Sequence, residues 1–135
     1  MSDSERTASL MALADDDLQA ARLLLASVPR QAAYHLQQAA EKIVKALLVR
    51  EGVDPGRIHQ VGRLARELPS THPLQKPLLE IDRLTVYGTA MRYPQASGHV
   101  PKSPSASQLS KDLKTVSALF AAACRHLKLT NDDAR

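Results

Sequence analysis

Apolar side chains recur every three to four residues along several stretches of the chain, a spacing typical of helices that bury one face. The clearest stretch spans residues 31–52, and polar side chains follow its apolar stripe at intervals of one helical turn: Gln37, Glu41 and Lys45. The pattern predicts a buried helix with a polar strip along one edge. The apolar stripe consists of Ala33, Leu36, Ala40, Ile43, Val44, Leu47 and Leu48.

Prolines, glycines and polar clusters interrupt this pattern and set the ends of the helices. Val28-Pro29 ends the first helix, because the residue before a proline avoids helical backbone angles. The link that follows is so short that the first two long helices must fold back antiparallel. Gly52 ends the second helix, and Ser105 with Gln108 has the capping-box spacing that starts the last one. The predicted helices cover about residues 4–27, 31–52, 60–68, 74–91 and 105–128.

These elements predict an all-α fold, an up-and-down bundle of four long helices plus one short helix. We expect a single domain over residues 1–128 and a frayed tail over 129–135. In the first helix we expect Leu13 to face the core and the three aspartates at 15–17 to face water. The chain has 135 residues, 44% of them hydrophobic and only 3% aromatic, so aliphatic side chains must build its core.

Charge and cysteine content indicate which partners and which cellular compartment to expect for the protein. The net charge of +4 is compatible with RNA, with nucleotides, with an acidic protein partner, or with an ordinary basic domain. The only cysteine, Cys124, cannot form an intramolecular disulfide, which favours a reducing cytoplasm. The amino-terminal residues lack the apolar core of a secretion signal, and no apolar run approaches the roughly 20 residues of a membrane span. We therefore expect a cytoplasmic protein without a membrane association.

Candidate catalytic groups are few. The five histidines show no zinc-ligand spacing and the five glycines form no phosphate-binding loop, so we predict no metal centre and no cofactor. Arg92 and His99 could cleave RNA without a metal, since arginine can hold a phosphate and histidine can transfer protons near neutral pH. Both lie in the predicted loop 92–104, where Pro94 and Gly98 interrupt any helix that would place them on one face.

The sequence allows two interpretations of the polar strip. It could be a solvated helix face carrying an ordinary Glu41–Lys45 pair, which would contribute about 0.3–0.5 kcal/mol. It could instead lie in a groove between helices or subunits, where Gln37, Glu41 and Lys45 would hold a loop or a partner by hydrogen bonds.

The chain resembles the HEPN domain family in three segments. They are AYHLQQAAEKIVKALLVREG at 33–52, IH at 58–59 and VYGTAMRYP at 86–94. The resemblance implies a helical bundle that usually forms a homodimer and associates with RNA or nucleotides. It also implies a prokaryotic protein encoded beside a small nucleotidyltransferase-like protein, often as a toxin and its antitoxin.

The resemblance also implies roles for individual residues. Catalytic members carry an arginine and a histidine a few residues apart, and Arg92 and His99 match them by position, so the enzyme would be a metal-independent endoribonuclease. Tyr93-Pro94 departs from the small polar residue that commonly follows this arginine, which keeps a non-catalytic interaction or dimerisation module as the alternative. In that case Arg92 would cap a helix or pair with Glu41. The residues expected to bind a nucleotide or a partner are Gln37, Glu41, Lys45, His59 and Tyr93.

Overall fold

The computed structural model describes residues 1–129, which form α-helices and one 3₁₀ helix and contain no strand. The all-α class predicted from the sequence is therefore confirmed. Leu129 packs against the core, whereas the rest of the predicted tail, residues 130–135, lies outside the described residues. The elements are α1 (Asp3–Leu24), α2 (Pro29–Arg50), α3 (Val61–Arg66), α4 (Gln75–Glu80), the 3₁₀ helix (Asp82–Val86), α5 (Tyr87–Ala90) and α6 (Ala106–Leu127).

Local capping hydrogen bonds and one glycine define the ends of the long helices. The Ser105 hydroxyl accepts a hydrogen bond from the Gln108 amide at 3.1 Å, as the capping-box spacing predicts. Ser2 caps α1 in the same way through the amide of Glu5. Gly52 follows α2 with a φ of +78°, a left-handed conformation that glycine adopts without strain.

Helix α2 lies at the centre of the fold, packed against α1, α6, α3, α5 and the 3₁₀ helix. The whole predicted apolar stripe of α2, from Ala33 to Leu48, is fully buried. None of the helices within residues 1–129 combines the length and the apolar character that crossing a membrane requires.

Paired residues define the directions of the long helices. Asp17 in α1 contacts Lys42 in α2, while Arg6 lies 3.9 Å from Asp54 beyond the far end of α2, so α1 and α2 run antiparallel. The Arg50 guanidinium at the end of α2 donates to the carbonyl of Leu127 at the end of α6, and these two helices therefore end side by side.

Two positions in α1 differ from the sequence-based expectation. Asp17 is buried and not solvated, and Leu13 is 49% exposed and not part of the core. The Asp17 carboxylate lies 2.8 Å from His35 Nδ1 and pairs with the Lys42 ammonium. A carboxylate can be buried when opposite charges and hydrogen bonds replace its water, and α2 supplies both.

The long helix predicted over 74–91 is divided into α4, the 3₁₀ helix and α5. The cause is a tertiary contact with the start of α3. Asp82 accepts a hydrogen bond from the Gly62 amide at 2.6 Å, and the Thr85 hydroxyl accepts one from the Val61 amide at 3.0 Å. The tighter 3₁₀ turn thus provides partners for amide groups at the start of α3 that have no partner within that helix.

Candidate functional site

A cleft of about 540 Å³ lies between α2 and the segment that runs from the 3₁₀ helix to the start of loop 92–104. Most of the site residues expected from the sequence line it, although they come from three separate parts of the chain. The lining residues are Tyr34, Gln37, Gln38, Glu41, His59, Gln60, Thr85, Gly88, Thr89, Arg92 and Tyr93.

Glu41 is the buried charged group of this cleft, with only 5% of its surface exposed. One carboxylate oxygen lies 3.2 Å from His59 Nδ1 and accepts a hydrogen bond from the Gln37 amide at 3.2 Å. The other oxygen accepts from the Lys45 ammonium at 3.1 Å. Lys45 does not line the cleft, but it balances the Glu41 charge. The polar strip of α2 therefore lies in a groove between helices, and its central residues are not a solvated face.

The Gln37 side chain lies directly against Gly88 of α5. Its side-chain oxygen accepts a hydrogen bond from the Gln38 amide at 2.6 Å, and its own amide nitrogen also reaches the His59 carbonyl at 3.4 Å. A Cβ atom added to Gly88 would lie 2.7 Å from the Gln37 side-chain oxygen and 2.8 Å from its carbonyl carbon. Glycine at position 88 thus leaves room for the end of the Gln37 side chain between α2 and α5.

Arg92 presents its positive charge at the edge of the cleft. Its guanidinium carbon lies 4.8 Å from the centre of the Tyr34 ring and 5.5 Å from that of Tyr93, distances typical of cation–π contacts. Within residues 1–129, Arg92 forms no ion pair with an acidic side chain. The suggested Glu41–Arg92 pair is therefore corrected: Glu41 is paired with Lys45 and His59.

His99 is not brought into the cleft within one copy of the chain. It is exposed, its Nδ1 lies 3.0 Å from the Ser97 hydroxyl, and its carbonyl accepts a hydrogen bond from the Gln95 amide. Gly98 in this turn has a φ of +83°, which is not a helical angle. Residues 92–99 therefore do not form a helix that would place Arg92 and His99 on one face. The interruption expected from Pro94 and Gly98 is what the structure contains.

Several cleft residues were not anticipated from the sequence, namely Tyr34, Gln38, Gln60, Thr85, Gly88 and Thr89. Helical spacing alone could have predicted Tyr34 as a cleft residue. It precedes Gln37 and Gln38 by three and four residues on α2, which places all three side chains on neighbouring positions of one helical surface. The other residues reach the cleft through tertiary contacts that helical spacing does not encode.

The fold and the cleft together define a class: an all-α domain whose central helix carries a buried polar strip beside an arginine without an acidic partner in residues 1–129. The chain belongs to the HEPN domain family, whose family model matches residues 7–127. The family resemblance drawn from the three sequence segments is thereby confirmed.

One solved structure with the same fold is the crystal structure of TT1696 from Thermus thermophilus. The two chains share 22% sequence identity and superpose with a TM-score of 0.75, over 90% of this chain and 98% of TT1696. At this identity the likeness establishes the fold and does not extend to activity. A search of curated proteins finds none that matches the chain.

Proposed function

We propose that this chain is a prokaryotic, cytoplasmic HEPN-domain protein that binds RNA or a nucleotide in the cleft beside Arg92. In this proposal it acts as a homodimer and is paired, in the manner of a toxin and its antitoxin, with a nucleotidyltransferase-like protein. The observation that carries the proposal is the Arg92 guanidinium, which lies over the rings of Tyr34 and Tyr93 and forms no ion pair within residues 1–129.

The chemistry of the cleft suits a nucleotide in three respects. A guanidinium without an acidic partner can hold a phosphate through two parallel hydrogen bonds. Tyr34 and the 61% exposed Tyr93 offer rings on which a base can stack. The Gln38 side chain, which also lines the cleft, can hydrogen-bond a base edge, and Lys45 offsets the Glu41 charge that would otherwise repel phosphate.

We also propose that the protein cleaves RNA. In this reaction His99 transfers protons and Arg92 stabilises the charge on the phosphate. Because His99 lies outside the cleft of its own chain, we propose that the His99 of a second copy completes the site. The same observation favours the second candidate function, a non-catalytic interaction module that binds RNA or a partner protein without cutting.

Arg92→Ala tests the binding proposal directly. Loss of one phosphate contact is expected to weaken single-stranded RNA binding about tenfold or more and to reduce the slope of log K against log salt by about 0.7. Fluorescence anisotropy over a salt series measures both quantities. Arg63→Ala is the matched control, since it removes one exposed arginine outside the cleft. Equal losses in the two variants would mean that Arg92 contributes only general charge.

The same variants test cleavage when RNA is incubated in EDTA. The shared-site hypothesis requires that Arg92→Ala and His99→Ala are each inactive and that a mixture of the two recovers part of the activity, because a mixed dimer contains one complete Arg92–His99 pair. Failure to recover activity would contradict the shared site. No cleavage by the unmodified protein, together with normal binding, would favour the non-catalytic module.

Gly88→Ala is expected to weaken ligand binding without unfolding the domain. Alanine favours a helix over glycine by about 1 kcal/mol, which offsets the cost of displacing the Gln37 side chain. The displaced Gln37 amide should lose its present hydrogen bonds and project further into the cleft. Chemical denaturation and RNA affinity measure the two effects separately. In a Gln37→Ala background, Gly88→Ala should have little further effect on affinity, and a full effect there would place the cause elsewhere.

A further inference from the structure

Three potential metal ligands meet at the opposite end of α2 from Tyr34. They are Glu51 directly after α2, His72 in the link before α4, and His126 in the last turn of α6, and their ligand atoms all lie within 4.8 Å of one another. Glu51 is ten residues beyond Glu41, or about 15 Å along a helix, so this cluster is separate from the cleft.

His72 is a buried histidine with one unsatisfied ring nitrogen. Its side chain is only 2% exposed, and its Nε2 atom has no hydrogen-bond partner among the described residues. This atom lies 3.8 Å from the Glu51 carboxylate, and the His72 and His126 rings are 4.5 Å apart between centres. A buried polar atom without a partner is costly in a native protein and commonly indicates an unseen water or ion.

We propose that Glu51, His72 and His126 form a binding site for a divalent transition-metal ion, with Zn²⁺ as the best fit. Two imidazoles and one carboxylate are a common zinc ligand set, which leaves a fourth position for water. Tetrahedral zinc needs its ligand atoms closer together than 4.8 Å, and Glu51 and His126 are exposed and free to close that distance. The sequence-based expectation of no metal centre could not anticipate a site assembled from three distant segments.

The surroundings favour a cation at this position. Glu51 caps the carboxyl end of α2, and His126 lies near the carboxyl end of α6, where both helix dipoles place partial negative charge. Burial and the neighbouring His126 lower the pKa of His72, against an opposing effect of Glu51.

Metal binding requires one proton to move. The Leu74 amide donates to His72 Nδ1 at 3.1 Å, which places the ring proton of neutral His72 on Nε2. When Nε2 binds the metal, this proton passes through water to Nδ1, and the Leu74 amide then loses its hydrogen-bond acceptor because two N–H groups cannot face each other. The rearrangement costs free energy, and we expect zinc binding to change the NMR signal of the Leu74 amide.

The test is a calorimetric titration of EDTA-treated and dialysed protein with ZnCl₂. One ion per chain is expected to bind, and the unfolding temperature should increase with zinc concentration because the metal stabilises only the folded chain. Glu51→Gln and His126→Ala alter exposed side chains, so both variants should fold, and each is expected to weaken binding at least about tenfold.

Two matched controls complete the test. Glu67→Gln and His99→Ala change one carboxylate and one histidine outside the cluster, and both should retain the affinity of the unmodified protein. The proposal is overturned if no saturable binding occurs at one ion per chain. It is equally overturned if Glu51→Gln and His126→Ala bind zinc as tightly as the controls do.

Discussion

Replacing Glu41 with alanine is expected to lower the free energy of unfolding by about 3 kcal/mol. Glu41 is 5% exposed, and its carboxylate accepts hydrogen bonds from three donors at once. Without it, the largely buried Lys45 ammonium loses its ion-pair partner, and the Gln37 amide keeps only the longer hydrogen bond to the His59 carbonyl. Since His59 can turn into water, its share of the loss is small, and the expected value is at the lower end of the range for broken buried pairs.

Urea denaturation measures this loss, and two variants determine its origin. Glu41→Gln keeps the shape and one acceptor oxygen, so it should cost clearly less than Glu41→Ala. Glu67→Ala removes an exposed carboxylate and should change the unfolding free energy by no more than about 0.5 kcal/mol. If Glu41→Ala costs no more than Glu67→Ala, then the hydrogen bonds around Glu41 contribute nothing net to stability.

A double-mutant cycle with Lys45→Met isolates the pair itself. Methionine retains much of the apolar stem of lysine while removing its charge. In the Lys45→Met background, Glu41→Ala should cost less, because no ammonium is then left without a partner. Strict additivity of the two substitutions would show that Lys45 and Glu41 do not stabilise each other.

Local patterns were sufficient to predict α2 and the amino-terminal cap of α6, because both depend on residues close in sequence. The buried Asp17 was missed for the opposite reason. Its partners His35 and Lys42 lie 18 and 25 residues along the chain, and three consecutive aspartates are ordinarily a solvated run. The division of the helix predicted over 74–91 was also hidden, since it depends on hydrogen bonds between Asp82 and the start of α3.

The candidate site was foreseen only in part. Helical spacing placed Gln37 and Glu41 on one strip, and the family resemblance associated that strip with Arg92. Spacing could not reveal that Gly88 leaves the room for Gln37, because a close approach of two helices depends on tertiary packing. The expected link between Arg92 and His99 stays a prediction, since it requires a second copy of the chain.

Leu84→Ala is expected to destabilise the domain by about 3 kcal/mol and to loosen the wall of the cleft. Leu84 is fully buried in the 3₁₀ helix, a short element that depends on packing more than on its own hydrogen bonds. The next residue, Thr85, lines the cleft, and the chain continues directly into α5. A cavity at Leu84 should therefore loosen both the 3₁₀ helix and α5, which form one wall of the cleft.

Hydrogen exchange measured by mass spectrometry distinguishes this local loosening from a uniform loss of stability. In Leu84→Ala, the amides of residues 82–92 should lose protection earlier than those at the α1–α2 contact. Val86→Ala is the matched control, because Val86 belongs to the same 3₁₀ helix but is 57% exposed, and it should cost no more than about 0.5 kcal/mol. Equal loss of protection across α1, α2 and residues 82–92 would show that the cleft wall opens only when the whole domain unfolds.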